Sequence, residues 1–585
     1  MDPLRVAIPW NMSSYTAAKG FRPLYRPLFE RNTSLDFNAI DDVALAHRLQ
    51  SDRGFYRALL KRRSQRTSEL PKFLQQSALG RSFVEYLSSD DVLLSSELPG
   101  AVELHHTSPL TTGNRPFVLH CESFLSIFQP FWSQGGRLSR VAEVRDLYGS
   151  LFKASTCLGI VSHIPSTLEQ ISRFFRDSAI DAKLHESRVG LSEASLNILS
   201  TSRRPKQATS PAFLFVDSVN QSSRSFALRG GFAALIFAER FLQSGREGQF
   251  LFRAGRPTDQ ELRSAGMDVS FLTSIEGTKL FWLQGYFPEH EQLRLFTIAD
   301  FCLLPSVNLH SVTIMQALAG GAIPVVSDTY GTEKFVADGQ TGIVLRGMRE
   351  ASWRDDPDAG IPVNDRHPPA SLNGQLASQA LQRITQLLAI PGATEDLRHA
   401  MRSAVKDNYI GQPFRDGLST AVLRLWAEAP AVLRKLVEVA QTTLLASERL
   451  LRTSHWERLF ESPPRPLVLA NMGGARVLYC KGIYILVRDD LSLTLKELSP
   501  LVLREEGYLV PWKVEFSDRV EDFTNALFWP KSQGNLLVAK WRYAKFRLYQ
   551  KAKLTLWSHK RLYGLAKWLY RTVASARRRL LRLSV

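Results

Sequence analysis

The sequence lacks the patterns that mark a disulfide-rich protein or a structural zinc protein. Its 585 residues include only four cysteines, and no two of them form a Cys-x-x-Cys pair: Cys121, Cys157, Cys302 and Cys480. Cysteines this few and this widely separated argue against a disulfide framework and against a cysteine zinc site. They suit a reducing compartment, so we expect a cytoplasmic protein that requires no metal and no cofactor.

Signals for secretion and for membrane insertion are also missing. The first 20 residues have an acidic second position and no long apolar run, which is not typical of a signal peptide. The longest stretch without Asp, Glu, Lys or Arg, residues 301–327, contains two prolines and a Gly-Gly pair. It therefore indicates a buried strand, a helix and a second strand rather than a membrane helix. With 44% hydrophobic and 22% charged residues, the chain is expected to fold into several domains.

Acidic residues are absent from the last part of the chain. Residues 523–585 hold 15 Lys and Arg but no Asp or Glu, whereas the first 522 residues carry 59 basic and 56 acidic groups. The tail also has four tryptophans among its charges. This mixture favours a basic amphipathic tail that attaches peripherally to the anionic inner face of the membrane. A solvated helix or a helix packed on the protein is the alternative, and we consider nucleic acid an unlikely partner.

Strand patterns alternate with helical patterns in two successive sets, which predicts α/β domains with parallel sheets. The polar stretch at 201–211 separates the sets, so we expect an N-terminal Rossmann-like domain over 1–200 and a second Rossmann-like domain over 208–395. The expected strands are LRVAIPW, DVLLSS, VELHH, RPFVLHCESF and CLGIVSH in the first domain, and AFLFVDS, GQFLFRAG, LFWLQGY, DFCLLPS, AIPVVSD and TGIVL in the second.

The patterns change after the second domain. Pro, Asp and Gly dominate residues 351–370, which predicts a loop. Helical periodicity follows and predicts a helical segment over 396–460. Alternating apolar residues then predict a small β-rich, antiparallel unit over 466–515, before the basic tail at 523–585. We expect the late helices to pack back across both α/β domains.

Two segments of the second domain have the features of an anion site. In residues 298–345 a strand ends near Pro305 and a polar loop leads into a helix, for which Ser311 is expected to be the N-cap. A loop and a helix N-terminus at the carboxyl edge of a parallel sheet favour an anionic ligand. The second segment places Arg229, Gly230 and Gly231 before a helix, where glycines allow close backbone approach and an arginine can hold two phosphate oxygens.

These residues resemble the nucleotide-sugar-binding half of glycosyltransferase family 4, whose members are retaining enzymes with the GT-B fold of two facing Rossmann-like domains. The family pattern runs roughly ADxxxxPSxxE, then EAMAxGxPVV, a Gly-rich turn, a Glu and DGxTG. The matching residues are Ala299, Asp300, Pro305, Ser306, Ala317, Ala319, Gly321, Pro324, Val325, Val326, Gly331, Glu333, Asp338, Gly339, Thr341 and Gly342. The match covers most of residues 208–345.

The chain departs from the family at two acidic positions. Asn308 and Gln316 stand where the family has two glutamates, still eight positions apart. The resemblance implies that Gln316 binds the ribose and that Asn308 lies near the donor sugar. Amides keep the hydrogen-bonding capacity and lose the charge. The resemblance also implies that Arg224 and Arg229 clamp the diphosphate, with Arg229 where the family has Lys.

The remaining candidates follow from the same resemblance. On the donor side it implies backbone and side-chain contacts from His310, Ser311, Val312 and Gly331, in addition to Gly230 and Gly231. On the facing side it implies His120, after the strand in PFVLHCESF, with Glu122 two residues further on. Lys19 and Gly20 are possible acceptor-side residues.

The resulting hypothesis is a glycosyltransferase that moves a sugar from a nucleotide-sugar donor to a glycan, lipid-linked or protein acceptor, with retention of configuration. His120, Glu122, Asn308 and His310 are the candidate catalytic residues. The alternative is a catalytically inactive protein of the same fold that binds membrane or nucleic acid, which the two missing glutamates and the basic tail motivate.

Overall fold

The computed structural model divides the chain into two compact units, Met1–Pro464 and Arg465–Val585. The structure describes residues 3–9, 21–30, 32–40, 74, 79–80, 83, 100–111, 113–129, 131–132, 138–201, 210–217, 223–283, 289–364, 368–431 and 433, together with short strands between 452 and 495. The expected strand DVLLSS, most of the linker, Lys19, Gly20 and the tail at 523–585 lie outside the described residues.

The first sheet of the larger unit belongs to the N-terminal α/β domain. Its strands are β1 (Leu4–Ile8), β2 (Leu35–Ile40), β3 (Val102–His106), β4 (Phe117–His120), β5 (Cys157–Ser162) and β6 (Leu184–Glu186), with a short strand from later in the chain at one edge. The order is β2-β1-β3-β4-β5-β6, and these six strands are parallel. The helices are α1 (Phe21–Phe29), α2 (Val141–Lys153), α3 (Pro165–Phe175), α4 (Ser178–Asp181) and α5 (Glu193–Thr201).

The second sheet belongs to the C-terminal α/β domain. Its strands are β7 (Ala212–Val216), β8 (Gln249–Arg253), β9 (Leu280–Trp282), β10 (Phe301–Leu304), β11 (Ile323–Ser327) and β12 (Ile343–Leu345). All pairings are parallel and the order is β9-β8-β7-β10-β11-β12. Counted from the first strand of the domain, this is the Rossmann order 3-2-1-4-5-6.

Helices cover the second sheet because its strands are mainly apolar and must be buried on both faces. Phe213, Phe215, Phe250, Phe252 and Phe301 are each at most 1% exposed and form an aromatic core across neighbouring strands. The helices are α6 (Ser223–Leu228), α7 (Gly231–Gln243), α8 (Asp259–Ser264), α9 (Val269–Ile275), α10 (Glu289–Ile298), α11 (Ser311–Gly320) and α12 (Met348–Ser352).

Three later helices connect the two domains, as expected. They are α13 (Ala370–Ala389), α14 (Ala393–Asn408) and α15 (Gly411–Glu428). Helices α13 and α14 contact the C-terminal domain at α7 and α11, whereas α15 contacts α1 and β5 of the N-terminal domain. Among the described residues, no helix is both long and apolar enough to cross a bilayer.

Two expectations about secondary structure were wrong. Residues 351–370 are not simply a loop, because β13 (Trp353–Asp356) and β14 (Ile361–Asn364) form an antiparallel hairpin within them. The segment 396–460 is not wholly helical, since β15 (Arg452–Thr453) pairs antiparallel with β2. The hairpin was missed because this segment is rich in charged residues and proline, which are typical of loops. Its second strand is nevertheless buried along its whole length.

The smaller unit contains a four-stranded antiparallel sheet in the range where a β-rich unit was expected. Its strands are β16 (Leu467–Met472), β17 (Ala475–Cys480), β18 (Ile483–Arg488) and β19 (Leu493–Leu495), paired in chain order.

The sequence-based fold class is confirmed. Two parallel-sheet α/β domains lie in one unit and contact each other through the loops at the carboxyl ends of their strands, for example from Glu122 to Ser311. This arrangement of two facing Rossmann-like domains is the GT-B architecture.

Candidate functional site

The candidate site begins at the switch point of the second sheet. Strands β7 and β10 are neighbours, and the chain leaves β7 toward β8 on one side and β10 toward β11 on the other. The connections therefore diverge at their carboxyl ends, which is where open α/β sheets bind ligands. The chain after β10 is the loop 305–310, and α7 begins beside it.

Glycine is required where α7 approaches this loop. Gly230 has φ +79°, and a Cβ atom built on it would lie 2.0 Å from the carbonyl oxygen of Pro305. A Cβ on Gly231 would lie 2.5 Å from the ring of Phe226. Gly230 therefore lets the start of α7 approach the backbone of the loop, and Gly231 leaves room for the ring of Phe226. Their contact with a phosphate remains a prediction.

Arg229 lies immediately before this approach and carries the positive charge of the site. It interacts electrostatically with Asp217, the residue after β7, and with Glu122 of the N-terminal domain. Burial lowers the pKa of Arg229, and the two carboxylates oppose that change. Arg224 belongs to α6, five residues earlier, but its side chain lies outside the described part of the chain.

The loop 305–310 is ordered by Ser306. Its hydroxyl donates to the carbonyl oxygen of Leu228 at 3.1 Å, and it lies 2.8 Å from Nε2 of His310. Because a hydroxyl has one proton, Nε2 of His310 is the donor to Ser306. Burial and the charge of Arg229 lower the pKa of His310 well below its ordinary value, so His310 is neutral at pH 7.

Asn308, at the first family glutamate position, is held by the β13–β14 hairpin. Its Oδ1 accepts a hydrogen bond of 2.5 Å from Nδ2 of Asn364. Asn364 is only 1% exposed. The Asn308 amide therefore has a second amide as its partner.

The start of α11 differs from the expectation in one respect. Ser311 is not the N-cap, because His310 occupies that position and Ser311 is the first helical residue. Its hydroxyl donates instead to Oε1 of Glu122 across the domain boundary. The helix ends at Gly320, before Gly321 with φ +82°.

Val312 and Gln316 lie on α11 with little exposed surface. Val312 is 7% exposed and Gln316 is 3% exposed. Their proposed contacts with donor remain predictions. Gly331 has φ +88°, and a Cβ there would lie 2.9 Å from Leu309 and 3.1 Å from Ile164, so this turn lies where the loops of both domains meet.

Two acidic residues of the matched pattern have structural roles. Asp300 accepts a hydrogen bond from the amide of Ala212 at 2.8 Å, and Arg398 contacts its other oxygen at 2.5 Å. Asp338 accepts from the amide of Val344 at 2.8 Å. These contacts fix the ends of strands, so part of the linear pattern reflects folding and not ligand contact.

The N-terminal side of the site is a row of buried polar rings. The Tyr25 hydroxyl lies 2.5 Å from Nδ1 of both His106 and His120, and Nε2 of His120 lies 3.2 Å from Nδ1 of His163. Nε2 of His163 faces Oε1 of Glu122 at 3.7 Å. We call these five residues the histidine chain.

The hydrogen bonds of the histidine chain can all run in one direction, from Thr107 toward Glu122. Thr107 donates to Nε2 of His106, whose Nδ1 donates to Tyr25, and the Tyr25 hydroxyl donates to His120. His120 then donates to His163, which directs an N–H toward Glu122. This order keeps each imidazole neutral and ends on a carboxylate.

The pKa shifts agree with this order. Burial lowers the pKa of His120 well below its ordinary value of 6.5, and the neighbouring His163 and His106 lower it further. Burial alone would raise the pKa of Glu122, but His163, Ser311 and Arg229 lower it overall. At neutral pH the cluster therefore pairs a neutral His120 with an ionised Glu122.

His120 and Glu122 thus lie opposite the residues of the C-terminal domain, but they differ in exposure. His120 has no exposed surface, and both of its ring nitrogens have partners. The Glu122 side chain is 21% exposed. Sequence reasoning missed Tyr25, His106, His163 and Asn364. One signal was available for His163: it begins a His-x-x-Ser segment directly after β5, as His120 does at the end of β4.

Metal ligation is not indicated by the geometry. Within the described ranges, no group of three or more His, Cys, Asp or Glu side chains could hold a metal ion. Cys121, Cys157 and Cys302 are buried free thiols there. Burial raises the pKa of Cys121 and Cys157 to about 12, so both stay protonated.

No protein-family model matches the sequence, and no curated protein matches it. Among solved structures, an α,α-trehalose 6-phosphate synthase from Burkholderia multivorans matches 74% of this chain and 100% of its own, with 12% identity and a TM-score of 0.42. A glycosyltransferase from Rickettsia africae matches 59% and 76%, with 12% identity and a TM-score of 0.37. The catalytic domain of starch synthase IV from Arabidopsis thaliana, bound to ADP and acarbose, matches 59% and 76%, with 11% identity and a TM-score of 0.36. Because these TM-scores are below 0.5, the fold assignment depends on the strand order and connections of this chain.

Proposed function

We propose that the protein is a glycosyltransferase that moves a sugar from a nucleoside-diphosphate-sugar donor to a glycan, lipid-linked or protein acceptor, with retention of configuration. One observation carries the proposal: Arg229, the loop 305–310 and the first turn of α11 converge at the switch point of a Rossmann-ordered sheet. An arginine, closely approaching backbone and a helix N-terminus are groups that hold a diphosphate.

The reaction explains why these groups are needed. The bond between the anomeric carbon and the diphosphate oxygen breaks, and the leaving diphosphate gains negative charge. Arg229 and the amide groups at the start of α11 stabilise that charge. The acceptor hydroxyl oxygen bonds to the anomeric carbon on the same face, and its proton goes to the leaving phosphate oxygen. No metal is required in this scheme.

Glu122 is the N-terminal group best suited to act on the sugar. It is ionised, partly exposed and held by Ser311 and His163. A carboxylate there stabilises positive character at the anomeric carbon. We assign His120 as a positioning residue that acts through His163, because it is wholly buried.

The donor-side amides complete the assignment. Gln316 binds the ribose hydroxyls, Asn308 and His310 lie beside the sugar, and the positive end of α11 at Ser311 and Val312 faces the diphosphate. Arg224 is a second phosphate ligand, and the backbone turn at Gly331 closes the site. In the assigned tautomer, Nδ1 of His310 is unprotonated and can accept a hydrogen bond from a sugar hydroxyl.

A thermal-shift screen tests the proposal directly. The full chain is heated with UDP, GDP, ADP and CDP, and with their sugar conjugates. A ligand at 100 times its Kd stabilises a protein by about 2.7 kcal/mol, so at least one nucleotide must raise the Tm measurably. If none of these compounds changes the Tm, the proposed function is wrong.

A binding protein that has lost turnover is the second candidate. The neutral Asn308 and the 3% exposure of Gln316 favour it. An assay for release of nucleoside diphosphate from the nucleotide sugar that binds best separates the enzyme from the binding protein. Release, with or without added acceptor, supports the enzyme. Stable binding with no release across acceptor classes supports the binding protein.

We also propose that residues 523–585 attach the protein to an anionic membrane surface. The support is the sequence alone, with 15 Lys and Arg, four tryptophans and no acidic residue. Co-sedimentation with anionic and neutral vesicles tests this. The full chain should pellet with anionic vesicles at low salt and a chain ending at Asp522 should not. If both stay in the supernatant, or if the tail prefers nucleic acid in competition, the attachment is wrong.

A further inference from the structure

The β13–β14 hairpin lies at the domain boundary and is firmly built. Its turn is fixed by Asp356, whose Oδ1 accepts from the amides of Asp358 and Ala359 at 3.1 and 3.0 Å. Gly360 has φ +72° and closes the turn. Strand β14 is buried, with Ile361 and Val363 at 0% exposure. A surface loop has none of these features, so the hairpin is a packed element.

One end of the hairpin contacts the donor-side loop. The indole N–H of Trp353 points to the carbonyl oxygen of Val307 at 3.4 Å, and the indole ring packs on Tyr330 with centroids 4.8 Å apart. On the adjoining strand, Asn364 donates to Asn308 at 2.5 Å. The hairpin therefore supports two consecutive residues of the loop 305–310.

The other end contacts the N-terminal domain. Arg145 of α2 donates to the carbonyl oxygen of Asp358 at 2.7 Å, and its guanidinium packs over Phe174 of α3 at 4.7 Å. Strand β14 also contacts α3. The hairpin thus spans from one domain to the sugar side of the other.

Asn364 has one polar atom without a partner. Its Oδ1 is buried and accepts no hydrogen bond from any residue that the structure describes. A buried acceptor without a hydrogen-bond partner destabilises the fold, so native structures usually supply a ligand or an ordered water as its partner. The Asn308 side chain contacts Asn364 through its Oδ1, which accepts from Nδ2 of Asn364.

The surroundings select the chemistry of a ligand for this atom. An amide oxygen needs a donor, and the side chain that contacts Asn364, Asn308, is also an uncharged amide. Two neighbouring neutral amides suit a neutral polyol, whose hydroxyl groups both donate and accept.

We propose that Asn364 is a sugar-binding residue, with its Oδ1 accepting a hydrogen bond from a hydroxyl of an uncharged donor sugar beside Asn308. This inference rests on the proposed function and extends it, because it assigns the sugar subsite in part to a hairpin that also contacts the N-terminal domain. The sugar half of the donor depends on Asn364, whereas the diphosphate half does not.

Calorimetry of the full chain tests this with matched ligand pairs: UDP and UDP-glucose, ADP and ADP-glucose, GDP and GDP-mannose. Asn364→Leu keeps the volume and removes the amide, and Asn364→Ala removes it without adding bulk. We expect both variants to bind the nucleotide sugar about tenfold more weakly and the nucleoside diphosphate within about twofold of wild type, as loss of one buried hydrogen bond predicts.

Asn38→Leu is the matched control, because Asn38 is also a buried asparagine, 6% exposed, but lies on β2 of the other sheet. It should change neither affinity. Thermal melts show which variants are folded, and Asn364→Ser replaces any variant that is not.

The outcomes separate the two hypotheses. If wild type binds none of the nucleotides, the proposed function fails and the inference fails with it. If wild type binds a nucleotide sugar and the folded Asn364 variants bind it equally well, a water satisfies Oδ1 and only this inference is wrong. Equal loss for the nucleoside diphosphate and its sugar conjugate also overturns it, since that pattern indicates a general disturbance of the loop.

Discussion

The two sides of the site are built in different ways. On the C-terminal side the described groups come from two short, continuous segments, 229–231 and 305–316, and they act through backbone, helix end and the Arg229 guanidinium. On the N-terminal side, residues from four separate segments form the histidine chain, which is buried and acts through side chains. The first side depends on local geometry and the second on tertiary packing.

Because the two sides are built differently, we expect substitutions on each side to change different measured properties of the protein. Substitutions of Arg229, Gly230 and Gln316 on the C-terminal side should change ligand affinity or strain the backbone, with little dependence on pH. Substitutions in the histidine chain should change how stability varies with pH, because that chain holds buried titratable groups in fixed protonation states. The predictions below test that contrast.

The largest effect is expected for Gly230→Ala. A Cβ there lies 2.0 Å from a backbone oxygen and forces a residue with φ +79° to carry a side chain. Strain and overpacking together should lower the free energy of unfolding by about 2 to 5 kcal/mol, measured by urea denaturation.

Gly245 provides the control for that substitution. It has the same φ of +79° but no atom within 4 Å of a built Cβ. Gly245→Ala should therefore cost only the conformational strain, about 1 kcal/mol. Equal losses for the two variants would show that the close approach between α7 and the loop is not important.

Gln316 gives the next test on the donor side. If its amide binds ribose, Gln316→Glu should keep nucleoside diphosphate binding and Gln316→Leu should weaken it by about 1 to 3 kcal/mol. Calorimetry measures both. Equal affinities for wild type and the two variants would remove Gln316 from the site.

A smaller effect is expected for His120→Gln, and it depends on pH. The folded protein keeps His120 neutral with a pKa well below 6.5, whereas the unfolded chain takes up a proton near 6.5. Stability must therefore fall as pH decreases below 6.5, by at most about 1.4 kcal/mol per pH unit for this one group. His120→Gln should reduce that slope in urea melts between pH 7 and pH 5.

Other groups define the controls for the pH experiment. His310 shifts in the same direction and should preserve part of the slope in the variant. Glu122, whose pKa is lowered from 4.5, contributes stability that is lost only at lower pH. His290→Gln, at an exposed histidine, is the control for the loss of a surface imidazole. If His120→Gln left the pH dependence of stability unchanged, the assignment of His120 as a buried, neutral histidine would be wrong.

The same contrast explains how much the sequence could predict. The strands of the second sheet and the approach of Arg229, Gly230 and the loop follow from apolar runs, glycines and helix signals, which are local. The histidine chain depends on Tyr25, which lies 95 positions before His120, and a single sequence does not show that they meet.

Two local misreadings have physical causes as well. Residues 353–364 are rich in Asp and Pro, yet their carboxylates and amides satisfy the turn itself and allow β14 to be buried. Ser311 was a reasonable N-cap by residue type, but it is the first helical residue, and its hydroxyl donates to Glu122 of the other domain. Local side-chain hydrogen bonds stabilise the hairpin turn, whereas a hydrogen bond to the other domain engages Ser311.

The central claim is that Arg229 holds the diphosphate of a nucleotide at the switch point. Calorimetric titration of the full chain with the nucleoside diphosphate that gives the largest thermal shift tests it most directly, comparing wild type with Arg229→Ala and with Arg263→Ala, an exposed arginine on α8. The account predicts that Arg229→Ala weakens binding by about 1.5 to 3 kcal/mol and that Arg263→Ala does not. Unchanged affinity in folded Arg229→Ala would contradict it.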